Sequence, residues 1–139
     1  MTPPADLDPT DDPGPLSLGA LADRMGMKLL EARPGRVVGT MPVEGNTQPY
    51  GLLNGGASAV MAETLGSLAG ALHAGSERFV VGLDVNCTHH RAVRDGLVTG
   101  VATPITEGTT IASYEIRMTD DEGRPVATAR LTCLLRSAR

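Results

Sequence analysis

A single carboxylate interrupts an uncharged run of small and aliphatic residues: Gly56 to Leu72 reads GASAVMAETLGSLAGAL, and Glu63 is its one charge. At about 100° per residue, Ala57, Val60, Met61, Leu65, Leu68 and Leu72 share one side of a helix. Gly56, Ala59, Glu63, Gly66, Ser67 and Gly70 share the other. A solvated face would carry Lys, Arg and Glu; this one carries the smallest side chains around one acid, so another backbone or a ligand can come close. Two chemistries fit a lone acid there. It pairs with an arginine across a subunit interface, since buried acids are rarely left unpaired, or it is a reactive carboxylate, since perturbed acids cluster at functional sites.

Other chemistry-bearing residues are sparse. His89 and His90 are adjacent at the end of a strand-like run, so they point to opposite faces, which argues against a shared metal; no metal is expected. Arg91 and Arg94 read as solvated charges or as cations for a phosphate. Cys87 and Cys133 show no CxxC or metal-ligand spacing and read as buried free thiols. Gly56-Ala57-Ser58-Ala59-Val60 lacks the last glycine of a serine-hydrolase elbow and has no strand before it, and neither a P-loop nor GxGxxG occurs. The aromatics are Tyr50, Phe79 and Tyr114 alone, so the core is aliphatic and base stacking is not expected. Asp6, Asp8, Asp11 and Asp12 account for the whole net charge of −4, which leaves no basic footprint for nucleic acid.

The elements that position these residues follow from periodicity. Met1 to Pro15, rich in Pro and Asp, reads as a disordered acidic tail; it has no basic start or apolar run of a signal peptide, which points to the cytoplasm. Residues 16–139 suit one domain. Ser17 can cap a short helix through Met25, stopped by Gly26. Met27 to Ala32 and Val37 to Val43 form a hairpin through Arg33-Pro34-Gly35-Arg36. A loop from Glu44 to Leu53 leads into the long helix, which ends near Gly75. The period then changes to two, in Phe79 to Thr88, Gly96 to Ile105, Thr110 to Thr119 and Pro125 to Leu135. An α+β fold with a mostly antiparallel sheet around one helix follows. The small-residue side then needs cover from outside the subunit, so a dimer is expected, with no membrane anchor.

The combination of Gln48-Pro49-Tyr50-Gly51-Leu52-Leu53-Asn54-Gly55-Gly56, Ala62-Glu63-Thr64-Leu65-Gly66-Ser67 and Val80-Val81-Gly82-Leu83-Asp84-Val85-Asn86 strongly resembles the hotdog-fold acyl-CoA thioesterases. Within them it resembles the PaaI-type branch, which includes 4-hydroxybenzoyl-CoA and 1,4-dihydroxy-2-naphthoyl-CoA thioesterases. The resemblance spans about Leu16 to Arg136. It implies that the Gly55 amide, at the positive end of the helix, holds the thioester oxygen, and that Glu63 is nucleophile or general base. It further implies that Gln48 and Asn54 orient the carbonyl, that Ser67 positions the carboxylate or the water, and that His89 lies near the acyl pocket. Arg91, Arg94, Thr109 and Thr110 are candidates for the phosphates of coenzyme A. In such enzymes His-Gly-Gly usually precedes the helix; here it is Asn54-Gly55-Gly56, and asparagine donates a hydrogen bond but carries no proton. Hotdog hydratases usually show an Asp/His dyad, which is missing from the helix region.

The expected activity is hydrolysis of an acyl-CoA, aromatic or medium-sized, to a carboxylic acid and coenzyme A without a cofactor. The expected assembly is a homodimer, or a homotetramer built from dimers, with its sites shared between subunits. The alternatives are an acyl-CoA-binding hotdog protein without turnover and an enzyme acting on acyl-carrier-protein thioesters.

Overall fold

The computed structural model describes residues 17–137, so the acidic tail expected over 1–15 lies outside the described residues. In chain order the elements are α1 (Ala20–Arg24), β1 (Lys28–Arg33), β2 (Arg36–Pro42), α2 (Gly55–Ala74), β3 (Arg78–His89), β4 (Leu97–Glu107), β5 (Ile111–Thr119) and β6 (Pro125–Ser137). The expected α-ββ-α-ββββ order holds, with boundaries shifted by one or two residues at most strand ends. Gly35, at φ 88°, makes the tight β1–β2 turn, and Gly75, at φ 72°, stops α2. One local expectation changes. Ser17 Oγ accepts from Gly19 N at 3.1 Å, and the helix begins only after Gly19, whose φ of 92° leaves no helical continuation. Ser17 therefore ties the approach to α1 and does not cap it.

All six strands pair antiparallel in the order β1-β2-β4-β5-β6-β3. Because α2 lies in sequence between β2 and β3, the chain crosses the sheet along the helix and resumes at the far edge. Every strand touches α2; this is the hotdog fold. The close approach depends on missing side chains on both partners. A Cβ on Gly39 or Gly100 of the sheet would sit 2.9 or 2.8 Å from the δ-methyls of Leu65, and one on Gly66 of the helix would sit 2.6 Å from Leu131 Cδ2. Leu65, Met61, Ile116 and Leu131 are fully buried in the aliphatic core, each stabilising the fold by about 1.5–3 kcal/mol.

That packing corrects the account of the small-residue side. Gly66 and Gly70 are covered within the subunit, Gly66 by Leu131 and Ile116 and Gly70 by Val80 and Tyr114. The curved sheet reaches round to a sector of the helix that contains no large side chain. Only Gly56 on that side is exposed, while Ala59, Glu63 and Ser67 are half-buried. The surface that lacks cover is on β3. Among the described residues this edge strand pairs with β6 alone, and it exposes Phe79, Val81, Leu83 and Val85.

Candidate active site

The N-terminus of α2 is built by the loop before it. Asn54 N donates to Asn46 O at 2.8 Å and Leu53 N to Val93 O at 2.7 Å, while Gln48 N and Gly51 N close a turn on Leu52 O and Gln48 O. Asn46 Nδ2 anchors the loop to Met25 O and Pro42 O. Asn54 is the N-cap: extended at φ −69°, ψ 127°, it accepts from Gly56 N through Oδ1 at 2.8 Å, and its carbonyl takes Ala57 N. The Gly55 N–H has no partner among the described residues. A free amide at the start of a 20-residue helix carries the positive end of the helix dipole and favours a negative oxygen.

Gly55 borders a cavity of about 410 Å³ lined also by Gln48, Ser58, His89, His90 and Arg91, with Leu52, Leu53 and Val126 as apolar wall. His89 packs on Gly55 so closely that a Cβ there would lie 2.8 Å from its Nε2. The two histidines were expected on opposite faces of a strand, but β3 ends at His89 and both border this cavity; His90 Nε2 also meets Thr128 Oγ1 at 2.9 Å. Gln48 Oε1 is held by Tyr50 N, which leaves its amide NH₂ free to donate. Asn54 lies apart from this group, in a neighbouring groove of about 390 Å³ with Met25, Asn46, Gly56 and Val60.

Glu63 stands eight residues along α2, about 12 Å from Gly55 at 1.5 Å per residue. It is half-buried and has no ion-pair partner among the described residues. Its carboxylate rests on the backbone of Gly82, where a Cβ would contact Oε1 and lie 3.2 Å from the carboxyl carbon. The register of β3 against β6 shifts there, between Gly82 and Asp84. Opposite Gly82 is Cys133, whose thiol is pushed up to about 11 by burial and then by the charge of Glu63. Both cysteines are free. Ser67 is half-buried one turn beyond Glu63.

The remaining candidates do not converge within one chain. Arg91 borders the His89 cavity, while Arg94 lines a separate groove with Asp120, Asp121 and Arg124. Thr109 and Thr110 are exposed on the β4–β5 turn, tied to the other end of α2 by Arg78 Nη1 on Thr109 O and His73 Nε2 on Gly108 O, each at 2.8 Å. Sequence reasoning missed Ser58 and Gly82. Spacing marks neither: Ser58 is one serine in a run of small residues, and nothing sets Gly82 apart as the seat of a carboxylate.

Comparison with known proteins identifies the family. Residues 50–127 match the thioesterase superfamily model. The proofreading thioesterase EntH of Cronobacter sakazakii is 47% identical over 116 residues, covering 83% of this chain and 80% of that protein. A crystallised mutant thioesterase of Pseudomonas aeruginosa is 39% identical at a TM-score of 0.83, covering 86% of this chain and 87% of its own. A thioesterase structure from Haemophilus influenzae is 38% identical at 0.82, covering 85% and 83%. The chain belongs to the thioesterase superfamily and is a thioester hydrolase of the hotdog fold.

Proposed function

We infer that the protein hydrolyses acyl-coenzyme A thioesters, and that each site draws on two copies of the chain. The observation that carries this reading is the separation on α2: the free Gly55 amide and the unpaired Glu63 carboxylate lie about 12 Å apart on one rigid helix, too far for both to act on one carbonyl. A second chain docked along β3 resolves the conflict by bringing its Glu63 to the first chain's Gly55. The exposed Phe79, Val81, Leu83 and Val85 and the unpaired edge they border support that assembly.

In this reading the thioester oxygen binds at the Gly55 N–H, and the Gln48 amide donates to the substrate from the same cavity. As charge develops on that oxygen, the amide and the helix dipole stabilise it. Glu63 of the second copy removes a proton from the attacking water or attacks the carbonyl carbon itself. With water as the attacking group, breaking the C–S bond releases coenzyme A and leaves the acyl group as a carboxylate; with Glu63 as the attacking group it leaves an acyl–Glu63 anhydride, which water then cleaves to the carboxylate and free Glu63. Ser67 positions Glu63 or the water. Asn54 caps the helix through Oδ1 and keeps its NH₂ as a donor. Arg91, beside the cavity, supplies a cation for the phosphates of coenzyme A; Arg94, Thr109 and Thr110 join that role only where the second copy brings them near.

The test is thiol release from aryl-, phenylacetyl- and fatty acyl-CoAs by the wild type and Glu63→Gln. The reading predicts turnover of at least one thioester and a loss of at least about 10² in the variant. Tight binding without turnover by folded wild type would favour the non-catalytic alternative, and turnover restricted to acyl-carrier-protein thioesters would replace the substrate. A Glu63→Gln variant as active as the parent would end the assignment of Glu63.

A further inference from the structure

Ser58 is 1% exposed, and its Oγ is a buried side-chain atom with no hydrogen-bond partner among the described residues. A serine inside a helix ordinarily returns its hydroxyl to the carbonyl four residues back. Here that carbonyl, on Asn54, already accepts from Ala57 N at 2.9 Å and from Ser58 N at 3.4 Å. A buried hydroxyl without a partner destabilises a fold, and alanine, nearly the same shape, does not. The group is explained if a bound molecule satisfies it.

Its position says which part of that molecule. Ser58 follows Gly55 by three residues and shares its face of α2. Helical side chains lean toward the N-terminus, so the hydroxyl lies over the turn that begins at Gly55. Both residues line the same cavity of about 410 Å³, whose other walls near them include Leu52, Leu53 and Val126. Two donors without a partner among the described residues, the Gly55 N–H and the buried Ser58 O–H, thus belong to one helical turn in the wall of a space with apolar sides.

We propose that the Ser58 hydroxyl is a second hydrogen-bond donor to the thioester oxygen, acting beside the Gly55 N–H. This rests on reading the cavity as the thioester site. As water or Glu63 adds to the carbonyl carbon, the π pair moves onto oxygen, and the two donors stabilise it while keeping their own protons. The carbonyl reforms as the C–S bond breaks and the sulfur leaves with the bonding pair; it takes the proton that Glu63 removed from water, or, where Glu63 itself added, a proton from solvent before water cleaves the acyl–Glu63 anhydride. Ser58 is neither nucleophile nor proton carrier in this scheme; it is a catalytic residue because it touches the reacting oxygen.

The test is Ser58→Ala, with thiol release from benzoyl-, 4-hydroxybenzoyl- and octanoyl-CoA and with thermal unfolding in the absence of ligand. The proposal predicts that kcat falls by about 10- to 100-fold on every substrate the wild type accepts, with KM changed by less than about threefold. The same substitution removes an unsatisfied buried hydroxyl, so the thermal midpoint should rise by about 2 °C or more. Loss of activity combined with gain of stability is the signature that a structural serine cannot produce. Undiminished kcat overturns the proposal, as does a loss confined to the hydroxylated acyl group, which would place Ser58 on that substituent. A variant that melts lower or fails to fold also overturns it, because the hydroxyl would then serve the fold. A wild type inactive on every thioester removes the underlying reading together with the proposal, whereas an active wild type matched by Ser58→Ala removes the proposal alone.

Discussion

Gly55→Pro deletes one hydrogen from the site with little demand on the backbone. Gly55 is the first residue of α2, where proline is favoured because the N–H lost there has no helical acceptor. The residue before it, Asn54, already holds the extended φ −69°, ψ 127° that a following proline requires. The steric demand falls on His89, whose Nε2 and Cε1 would lie 2.8 and 2.9 Å from the new Cβ. A carbon contact of about 3.5 Å asks the ring to retreat by about 0.7 Å, and His89 is exposed and free to do so. Gly55→Ala imposes the same displacement of His89 while keeping the amide, so it controls for that contact, and the ratio of the two variants reports the loss of the N–H together with the Cδ that takes its place. Loss of one oxyanion donor costs about 2.7–4 kcal/mol, or about 10²–10³ in kcat. The assay is thiol release on the best acyl-CoA under saturating substrate, with thermal unfolding to show that both variants are folded. Equal kcat for folded Gly55→Pro and Gly55→Ala would refute the amide as the oxyanion donor.

Three further perturbations address the surrounding parts. Gly82→Ala places a methyl against Oε1 of Glu63 and shifts the carboxylate by about 1 Å; kcat should fall by about 10² with the thermal midpoint nearly unchanged, and normal turnover would show that the carboxylate reacts from another position. Asn54→Asp keeps the acceptor that caps Gly56 N but loses the NH₂ donor, so stability should hold while kcat/KM falls by about tenfold if that donor meets substrate; Asn54→Ala should in addition lose about 1 kcal/mol of stability. Leu83, 56% exposed on the edge strand, should on replacement by Asp shift the assembly toward monomer in light scattering and lower activity in parallel, whereas a fully active monomer would rule out a shared site.

The strands and α2 were legible because their periods differ and because glycines mark their ends. Arg33-Pro34-Gly35-Arg36 turned where a left-handed residue was available, and Gly75 ended the long helix as expected. Glu63 stood out because nothing near it in sequence is charged. What could not be read was the sector of α2 that the sheet covers: a helical wheel gives angles, and Gly66 and Gly70 look open until Leu131 and Tyr114 are placed against them. Ser58 was hidden for a related reason, since a serine among alanines gains meaning only when its hydroxyl is found without a partner. Arg91 and Thr109 looked equally suited to phosphates, but strand lengths carry them to opposite ends of the helix.

Mixing two crippled variants tests the shared site most directly. Glu63→Gln retains the Gly55 amide, and Gly55→Pro retains the carboxylate, so each homodimer lacks one part at both of its sites. If Glu63 of one chain serves the Gly55 of the other, a mixed dimer contains one site with both defects and one with neither. Random co-assembly at equal concentrations should therefore restore about one quarter of wild-type activity. A mixture whose thiol release stays at the level of the two separate variants, with mixed dimers demonstrated by mass, would place both groups of each site on the same chain and contradict the account.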